Sequence, residues 1–310
     1  MAILAASVAS VLVPGHSASA AVSYPFSDDM ESGAGQWVAD SPWALTSEDS
    51  HSGSYCWTDS PGTTYENDVN TSLTLGVNLG IATMPVLTFW HRYDFEANGD
   101  WGYVDVSTDL GQNWTTIYFV SGQSVEWKQE RIDLSEYALM GDARIRFRLQ
   151  SNSSTRYDGW YIDDVSIAES TATLSYPFHD DIEAGPVTEG NWHSSSFELV
   201  TGGASGTNCW HDSPWGNTPR YCHAALTLAG TIDLSTAVSP QLTFWEHYSQ
   251  YNSSSYWLHV EVSDSYGHSG TYATLASYWG SQATWVQRQV DLSDYVGLSN
   301  VRIRFRTRTY

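Results

Sequence analysis

Short stretches in which apolar and polar residues alternate recur along the whole chain. Residues 144–149 read Arg-Ile-Arg-Phe-Arg-Leu, which places the arginines on one face and the apolar side chains on the other. The same period of two marks residues 104–107, 161–167 and 260–263. Clusters of Asn, Asp, Gly and Ser separate these stretches, and no long helical periodicity is present. The pattern predicts an all-β chain of many short strands, arranged as sandwiches or barrels.

The motifs of the first half return in the same order in the second half. Tyr-Pro-Phe-Ser-Asp-Asp-Met-Glu at 24–31 becomes Tyr-Pro-Phe-His-Asp-Asp-Ile-Glu at 176–183, an offset of 152, and Arg-Ile-Arg-Phe-Arg recurs with an offset of 158. Such a period is the length of a domain, far longer than a solenoid repeat. We predict a signal-peptide-like segment at 1–21, one module at 22–169, a linker at 170–175 and a second module at 176–310.

The two copies end differently. The first continues into residues 158–167, Asp-Gly-Trp-Tyr-Ile-Asp-Asp-Val-Ser-Ile, whereas the sequence ends at Tyr310 before any matching segment. A second sandwich without its final strand would expose a sheet edge. We therefore expect the second module, as given, to be truncated and less stable than the first.

Charge narrows the classes of partner. The formal net charge is −22, from 35 acidic and 13 basic residues. A surface this acidic repels nucleic acids and anionic membranes, and suits cation binding or simple solubility. Seven of the 13 basic residues are arginines on the two repeated strands, and we expect them to pair with acids on neighbouring strands rather than to bind anions.

The N-terminus favours export. Residues 2–13 are apolar, and Ala18-Ser19-Ala20 resembles a signal-peptidase site. No Lys or Arg precedes the apolar run, so a shortened signal or a linker are the alternatives, and the run is too short to span a bilayer. We predict a secreted, extracellular protein without membrane insertion.

Several motifs together resemble the MAM-like, galactose-binding-like jelly-roll modules that accompany secreted bacterial hydrolases such as immune-inhibitor-A-like metallopeptidases. They are Asp-Asp-Met-Glu-Ser-Gly at 28–33, His-Ser-Gly-Ser-Tyr at 51–55, Leu-Thr-Phe-Trp-His-Arg-Tyr at 87–93 and the segment 158–165. The resemblance covers nearly all of 24–167 and, more loosely, 176–308. It implies two tandem antiparallel jelly-roll β-sandwiches, the second lacking its C-terminal strand.

The same resemblance implies a structural calcium ion in module 1. Its ligands would be Asp29 and Glu31, peptide oxygens of the loop from His51 to Ser54, and Asp163 or Asp164. Calcium takes several oxygen ligands of this mixed kind. Exposed carboxylates at strand ends are the alternative. The second copy keeps Asp181 and Glu183 but lacks the final Asp pair, so its site is doubtful.

Aromatic residues are candidates for ligand contact, because sugar rings present apolar C–H surfaces to aromatic rings. Tryptophans at matched positions in the two copies, such as Trp90 and Trp245, are expected in the core. The loop residues Trp101, Trp215 and Tyr251 are the better candidates for an exposed binding surface. They do not match between the copies, so they do not predict a shared site.

The three cysteines are too few for a disulfide framework. Cys209 and Cys222 flank one loop, and either a bridge between them or unlinked thiols fit the spacing. Cys56 is expected to be buried.

No His-Glu-x-x-His, Gly-x-Ser-x-Gly or phosphate-loop motif is present. We therefore predict a non-catalytic module that binds a glycan or a cell-surface protein, accessory to an extracellular hydrolase and a fragment of a larger protein. A structural spacer that positions a catalytic domain is one alternative. A hydrolase with an unrecognised site is the other.

Overall fold

A computed structural model describes residues 20–172, 174–185, 190–214, 216, 219, 222–249 and 256–309. Most of the predicted signal-like segment at 1–21, and the candidates Trp215 and Tyr251, therefore lie outside the described residues. Every named element is a strand, apart from two short 3-10 turns at Ser135–Tyr137 and Ser293–Tyr295. The predicted all-β fold is confirmed.

The first half forms two six-stranded sheets. Its strands are β1 (Val22–Ser23), β2 (Phe26–Asp28), β3 (Val38–Ala39), β4 (Ala44–Thr46), β5 (Cys56–Thr58), β6 (Asn70–Asn78), β7 (Pro85–Asp94), β8 (Trp101–Ser107), β9 (Thr115–Val120), β10 (Gln123–Asp133), β11 (Ala143–Gln150) and β12 (Gly159–Glu169). One sheet runs β1-β6-β11-β8-β9 with β3 on β6, and the other runs β10-β7-β12-β5-β4 with β2 on β12.

These two sheets enclose one apolar core. Phe89 from β7, Phe147 from β11 and Trp160 from β12 are each 0% exposed and meet edge to face, with the Phe89 and Phe147 rings 5.0 Å apart and the Phe147 and Trp160 rings 5.8 Å apart. Edge-to-face packing of large rings is favourable, and such rings fill the space between two sandwich layers. The period-two pattern of the sequence thus corresponds to the inner and outer faces of each strand.

The second half repeats one of these sheets and divides the other. Its strands are β13 (Trp192–Ser195), β14 (Glu198–Thr201), β15 (Asn208–His211), β16 (His223–Leu228), β17 (Gln241–Ser249), β18 (Tyr256–Ser263), β19 (Tyr272–Tyr278), β20 (Ser281–Asp291) and β21 (Arg302–Thr309). A five-stranded sheet runs β13-β16-β21-β18-β19, and two separate ribbons pair β14 with β15 and β17 with β20.

The division has a clear cause. In the first half β12 lies between β7 and β5 and joins them into one sheet. Among the described residues, no strand of the second half takes that position between β17 and β15. Within the described residues the second sandwich therefore has no counterpart of β12, in agreement with the prediction.

The two halves contact each other through apolar, polar and charged side chains. Ser196 Oγ accepts a hydrogen bond from Phe119 N (2.8 Å) and donates one to Phe119 O (3.1 Å). Arg302, which is 0% exposed, donates to Asp133 Oδ1 at 2.9 Å across the boundary. A buried guanidinium needs such a partner, because an unpaired charge inside a protein is costly.

The repeated arginines are structural, as expected. Arg146 Nε and Arg148 Nε donate to Asp105 Oδ2 at 2.8 and 2.7 Å across the β11–β8 pair. In the second half Arg304 donates to Glu261 Oε2 at 2.8 Å in the matching strand pair.

The suggested bridge between Cys209 and Cys222 is not formed. None of the three cysteines is in a disulfide, and Cys56 is buried as expected. Cys209 lies on β15 in a two-stranded ribbon, whereas Cys222 directly precedes β16 of the five-stranded sheet. The flanked loop therefore does not close a hairpin that would bring the two thiols together.

Candidate functional site

Two tryptophans of the second half, one half-buried and one exposed, lie side by side. Trp257 lies on β18 and Trp279 in the turn between β19 and β20, with their ring centroids 4.7 Å apart and their planes inclined by 47°. Trp279 is 55% exposed, although large apolar side chains are normally covered. The His259 ring lies parallel to Trp257, at 5.9 Å and 5°. We call Trp257, His259 and Trp279 the aromatic surface.

The alternation of β18 explains this placement. Val260 and Val262 point into the core and are 0% exposed, so Trp257 and His259 share the opposite face of the strand. His259 Nδ1 lies 2.8 Å from Ser277 Oγ on the neighbouring β19. The aromatic surface is therefore fixed to two paired strands.

The surroundings of the imidazole of this surface favour its uncharged form. Burial lowers the pKa of His259, Glu261 opposes that effect, and the charges of Arg306 and Arg308 lower the pKa further. The surface thus offers two indoles and an uncharged imidazole to a ligand.

The first half has a tryptophan, Trp101, at the place equivalent to Trp257, and both are half-buried. Trp101 pairs with Gln150, and Trp257 pairs with Arg308, at equivalent places in the repeated strands. Trp101 is half-buried and packs with Tyr103 and Phe119 against the core of the second half. The exposure expected of Trp101 is therefore partial.

Trp257 was not among the predicted ligand contacts, which were the loop candidates Trp101, Trp215 and Tyr251. Trp101 is instead the first residue of β8. The signal was available, because Val-Asp-Val-Ser at 104–107 matches Val-Glu-Val-Ser at 260–263 and places Trp101 opposite Trp257 in the alignment.

The predicted calcium ligands are largely brought together. Glu31 Oε1 accepts from Ser54 N at 2.7 Å and from Tyr55 N at 2.8 Å. Asp163 Oδ2 accepts from His51 N at 2.8 Å and from Ser52 N at 3.2 Å. Carboxylates from both ends of the first half thus hold the loop of residues 51–55 between them. We call this arrangement the carboxylate clasp.

Two further predicted ligands differ in their positions. Asp164 joins the clasp, with its Oδ2 2.6 Å from His51 Nδ1 and its Oδ1 accepting from Ser52 Oγ at 2.9 Å. Asp29 is exposed, and its Oδ1 accepts only a local bond from Glu31 N at 3.2 Å. The structure therefore brings Glu31, Asp163 and Asp164 to the loop and leaves Asp29 beside it.

The negative charge of the clasp suits a cation, but its carboxylates are not spaced as the ligands of one metal ion. Asp163 is 0% exposed, and burial raises the pKa of its carboxyl while bonds from Ser52 and Asp164 N–H groups oppose the rise. Neither Asp163 nor Glu31 forms an ion pair with a Lys or Arg in the described chain. Within the described residues, no group of three or more His, Cys, Asp and Glu side chains is arranged to hold a metal ion. A calcium ion would need peptide oxygens of the loop as well.

The second half keeps only part of the clasp. Glu183 Oε1 accepts from Asn208 N at 2.8 Å, as Glu31 does from its loop. No described residues of the second half correspond to Asp163 and Asp164, which lie on the missing strand. That the second half has no complete calcium site stays a prediction.

Comparisons with known proteins give partial matches. The family described as Reelin subrepeat B matches residues 73–168, which include the strands from β7 to most of β12. Bacillopeptidase F from Bacillus subtilis is 29% identical over 156 residues, which are 47% of this chain. The chain spans only 11% of the length of that relative.

Solved structures show distant resemblance. The tandem N-terminal CBM22 domains of Paenibacillus barcinonensis Xyn10C align with 92% of this chain and 89% of theirs, at 15% identity and a TM-score of 0.34. A cleaved adhesin domain of Lys-gingipain from Porphyromonas gingivalis w83 aligns with 46% of this chain and 97% of its own, at 18% identity and a TM-score of 0.35. Within the described ranges, no helix combines the length and apolar character needed to cross a bilayer.

Proposed function

We propose that this chain is a non-catalytic binding module that holds a glycan on the aromatic surface. The observation that carries the proposal is the pair of adjacent indoles, Trp257 and Trp279, of which Trp279 is 55% exposed. The two rings contact each other at 4.7 Å with their planes inclined by 47°, and we infer that a sugar ring stacks on the exposed side of Trp279. Exposed apolar patches of this kind mark binding sites in soluble proteins.

The charge of the chain selects among glycans. A net charge of −22 repels uronate-rich or sulfated polymers. The neutral His259 beside the indoles supplies one hydrogen-bonding group and no positive charge. Neutral polysaccharides are therefore the proposed ligands, and a cell-surface protein is the alternative partner.

Affinity gel electrophoresis and calorimetry against neutral polysaccharides, with uronate polymers in parallel, test this proposal. Trp279→Ala should abolish retention of the chain, because it removes the ring on which the sugar stacks. Trp245→Ala is the matched control, since Trp245 is 48% exposed on a different ribbon and should leave binding intact. Equal loss in both variants, or no retention of the wild-type chain on any glycan, would contradict the proposal and favour the spacer interpretation.

We further propose that residues 22–169 and 176–310 are two copies of one MAM-like accessory module joined by residues 170–175. The repeated motifs and the shared strand order around β11 and β21 support this division. The peptidase name of the partial relative supports an accessory place in a larger extracellular hydrolase. Limited proteolysis tests the division, with first cleavage expected between the two copies.

A structural calcium ion in the carboxylate clasp is also part of the proposal. The buried charge of Asp163, without a described Lys or Arg partner, supports it. Glu31, Asp163 and Asp164 would hold the ion, together with peptide oxygens between His51 and Ser54. The ion would tie the two ends of the first half to the loop.

A further inference from the structure

A buried imidazole lies at the contact between the two halves. His193 on β13 is 6% exposed, and its Nδ1 lies 3.3 Å from Nη2 of Arg302 on β21. A guanidinium nitrogen only donates hydrogen bonds, so Nδ1 of His193 accepts this one and carries no proton. Nη1 of the same arginine donates to Asp133 Oδ1 of the first half at 2.9 Å. The arginine that joins the halves is therefore held by an imidazole in its uncharged form.

Charged groups from both halves surround His193. They are Arg131 and Asp133 on β10, Glu136 in the 3-10 turn at Ser135–Tyr137, His223 on β16, and Arg302 and Arg304 on β21. Both carboxylates already have guanidinium partners, since Asp133 binds Arg302 and Glu136 Oε2 accepts from Arg304 at 2.8 Å. A proton on His193 would therefore add a positive charge beside an arginine without a new acid to balance it.

The surroundings of both histidines oppose their charged forms. Burial lowers the pKa of His193 to about 4, while the charge of Asp133 opposes this shift and those of Arg302 and Arg131 add to it. Burial and the arginines of β21 also lower the pKa of His223 to about 4. The closed contact thus excludes protons from both rings.

Acid therefore acts against the contact. A histidine exposed to water takes up its proton near pH 6.5. Between about pH 6.5 and pH 4 the separated halves bind protons that the closed contact excludes. The contribution of His193 to the contact is fully present above about pH 6.5 and is lost as the pH falls towards 4.

A cavity between the halves gives the proton its route. Its volume is about 330 Å³, and residues of both halves line it, among them Ile132, Tyr137, His193 and His223. Hydroxyl and charged side chains contribute to its walls, so water can occupy it. A proton therefore reaches the imidazoles from solvent without unfolding of either half.

We propose that the contact between the halves is a pH-sensitive switch, closed while His193 is uncharged and weakened when this imidazole takes up a proton. Protonation removes the bond from Arg302 to Nδ1 and places two positive charges 3.3 Å apart in a buried site. Opening then withdraws Tyr103 and Phe119 from the apolar core that they share with the second half. Mild acid would thus release two halves that neutral pH holds together. This inference is independent of glycan binding.

The amide of Phe119 is a direct reporter of the contact, because it donates across the boundary to Ser196 Oγ at 2.8 Å. Hydrogen exchange of the full chain at about pH 7.5 and pH 5, corrected for the intrinsic rate at each pH, measures its protection. That protection should fall by at least about 30-fold, the ratio given by one proton whose pKa is 6.5 in the open state and about 4 in the closed state. Amides of β11 should not lose protection, since both edges of that strand are paired within the first half.

His193→Asn removes the titrating group but keeps the acceptor, because the amide oxygen takes the place of Nδ1. The fall in protection at Phe119 should be about 30-fold smaller in this variant than in the wild type. His247→Asn is the matched control, since His247 is exposed on β17, and it should keep the wild-type response. Each variant is compared with itself at the two pH values, so a general loss of stability on substitution does not obscure the result.

Constant protection of Phe119 between the two pH values would overturn the proposal. An equal fall in the wild type and in His193→Asn would also overturn it, because another group would then carry the response. Equal losses at Phe119 and at the β11 amides would show acid unfolding of the first half instead of opening of the contact.

Discussion

The sheet that contains β7 and β12 is continuous in the first half of the molecule, whereas its counterpart in the second half is divided into two ribbons. In the first half β12 is paired on both sides, and the rings beneath it, such as Phe89, are 0% exposed. Among the described residues of the second half no strand takes the place of β12, the sheet is two ribbons, and Phe244 is half-buried. The difference shows that a single central strand, rather than the repeated motifs on either side, completes the sandwich.

The outer faces of the two halves also differ. Trp101 in the first half packs against the core of the second half, whereas Trp279 beside Trp257 is 55% exposed. The first half thus has the complete core, and the second half carries the exposed indole. Stability and binding are expected to be unequally shared between the copies.

Removal of the central indole of β12 should have the largest effect. Trp160 is 0% exposed and donates to His91, so Trp160→Ala leaves both a cavity and an unpaired ring nitrogen. The free energy of unfolding of the first half should fall by about 3–5 kcal/mol. Hydrogen exchange during urea unfolding measures it. Trp245→Ala, at an exposed site in the second half, is the control and should cost less than about 0.5 kcal/mol.

The ion pair between the halves should come next. Arg302→Ala leaves the carboxyl of Asp133 inside the protein without its guanidinium partner. Burial favours the protonated acid, yet the charge of Arg302 lowers the pKa of Asp133. Losing the partner should cost about 3–5 kcal/mol, measured by urea unfolding at pH 7.

The control for that variant separates the ion pair from simple loss of volume. Arg302→Met retains an apolar side chain of similar length, and Arg302→Met combined with Asp133→Leu removes both charges. The double variant should recover most of the lost stability, because the desolvation cost of both ions disappears. Equal losses in the single and double variants would show that packing, not charge, decides the contact between the halves.

The sequence predicted the strands because apolar and polar residues alternate along them. It predicted that the second half has no counterpart of β12 because the segment 158–167 is not repeated. Residues 144–149 alternate in the structure as they do in the sequence, and the segment 158–167 became β12. The aromatic surface was not predicted, because Trp257 and Trp279 come together only when β18 and β19 pair and the following turn folds over them. The partner of Arg302 was not predicted either, since Asp133 lies in the other half of the chain.

A buried acid distinguishes the halves by its response to pH. Asp59 is 0% exposed, its Oδ1 accepts from Trp160 N at 2.6 Å, and its Oδ2 is unpartnered, whereas the matching Asp212 is half-buried. Burial raises the pKa of Asp59 to about 7, with backbone bonds opposing the rise and Asp158 adding to it. The folded protein therefore binds a proton that the unfolded chain releases near pH 4.

The sign of the effect follows from that difference. Between about pH 4 and pH 7 the folded state holds more protons, so stability falls as pH rises through this window and is constant above it. The cost at pH 8 should be about 2–4 kcal/mol. Asp59→Asn should remove this pH dependence of stability. The variant should therefore be more stable than the wild type at pH 8, and this advantage should disappear near pH 4. A difference in melting temperature between the variant and the wild type that is the same at every pH would contradict this prediction. Asp212→Asn is the control.

The carboxylate clasp offers the smallest and most specific test of the difference between the copies. Calcium sites of extracellular modules bind with dissociation constants of about 0.1–1 mM. At about 10 mM calcium the first half should then gain about 1–3 kcal/mol by mass action. Melting curves with calcium, magnesium and chelator measure the gain. Magnesium should not reproduce it, because it prefers fewer ligands in rigid octahedral geometry.

Two glutamates that occupy matching places decide whether the gain comes from the clasp. Glu31→Gln keeps the bonds to Ser54 N and Tyr55 N through its amide oxygen but removes the charge, so the calcium response should disappear. Glu183→Gln changes the equivalent residue of the half that lacks Asp163 and Asp164, and should leave the response intact. A response that survives Glu31→Gln would place calcium elsewhere. No response in the wild type would leave the clasp as a set of hydrogen bonds that holds the loop without an ion.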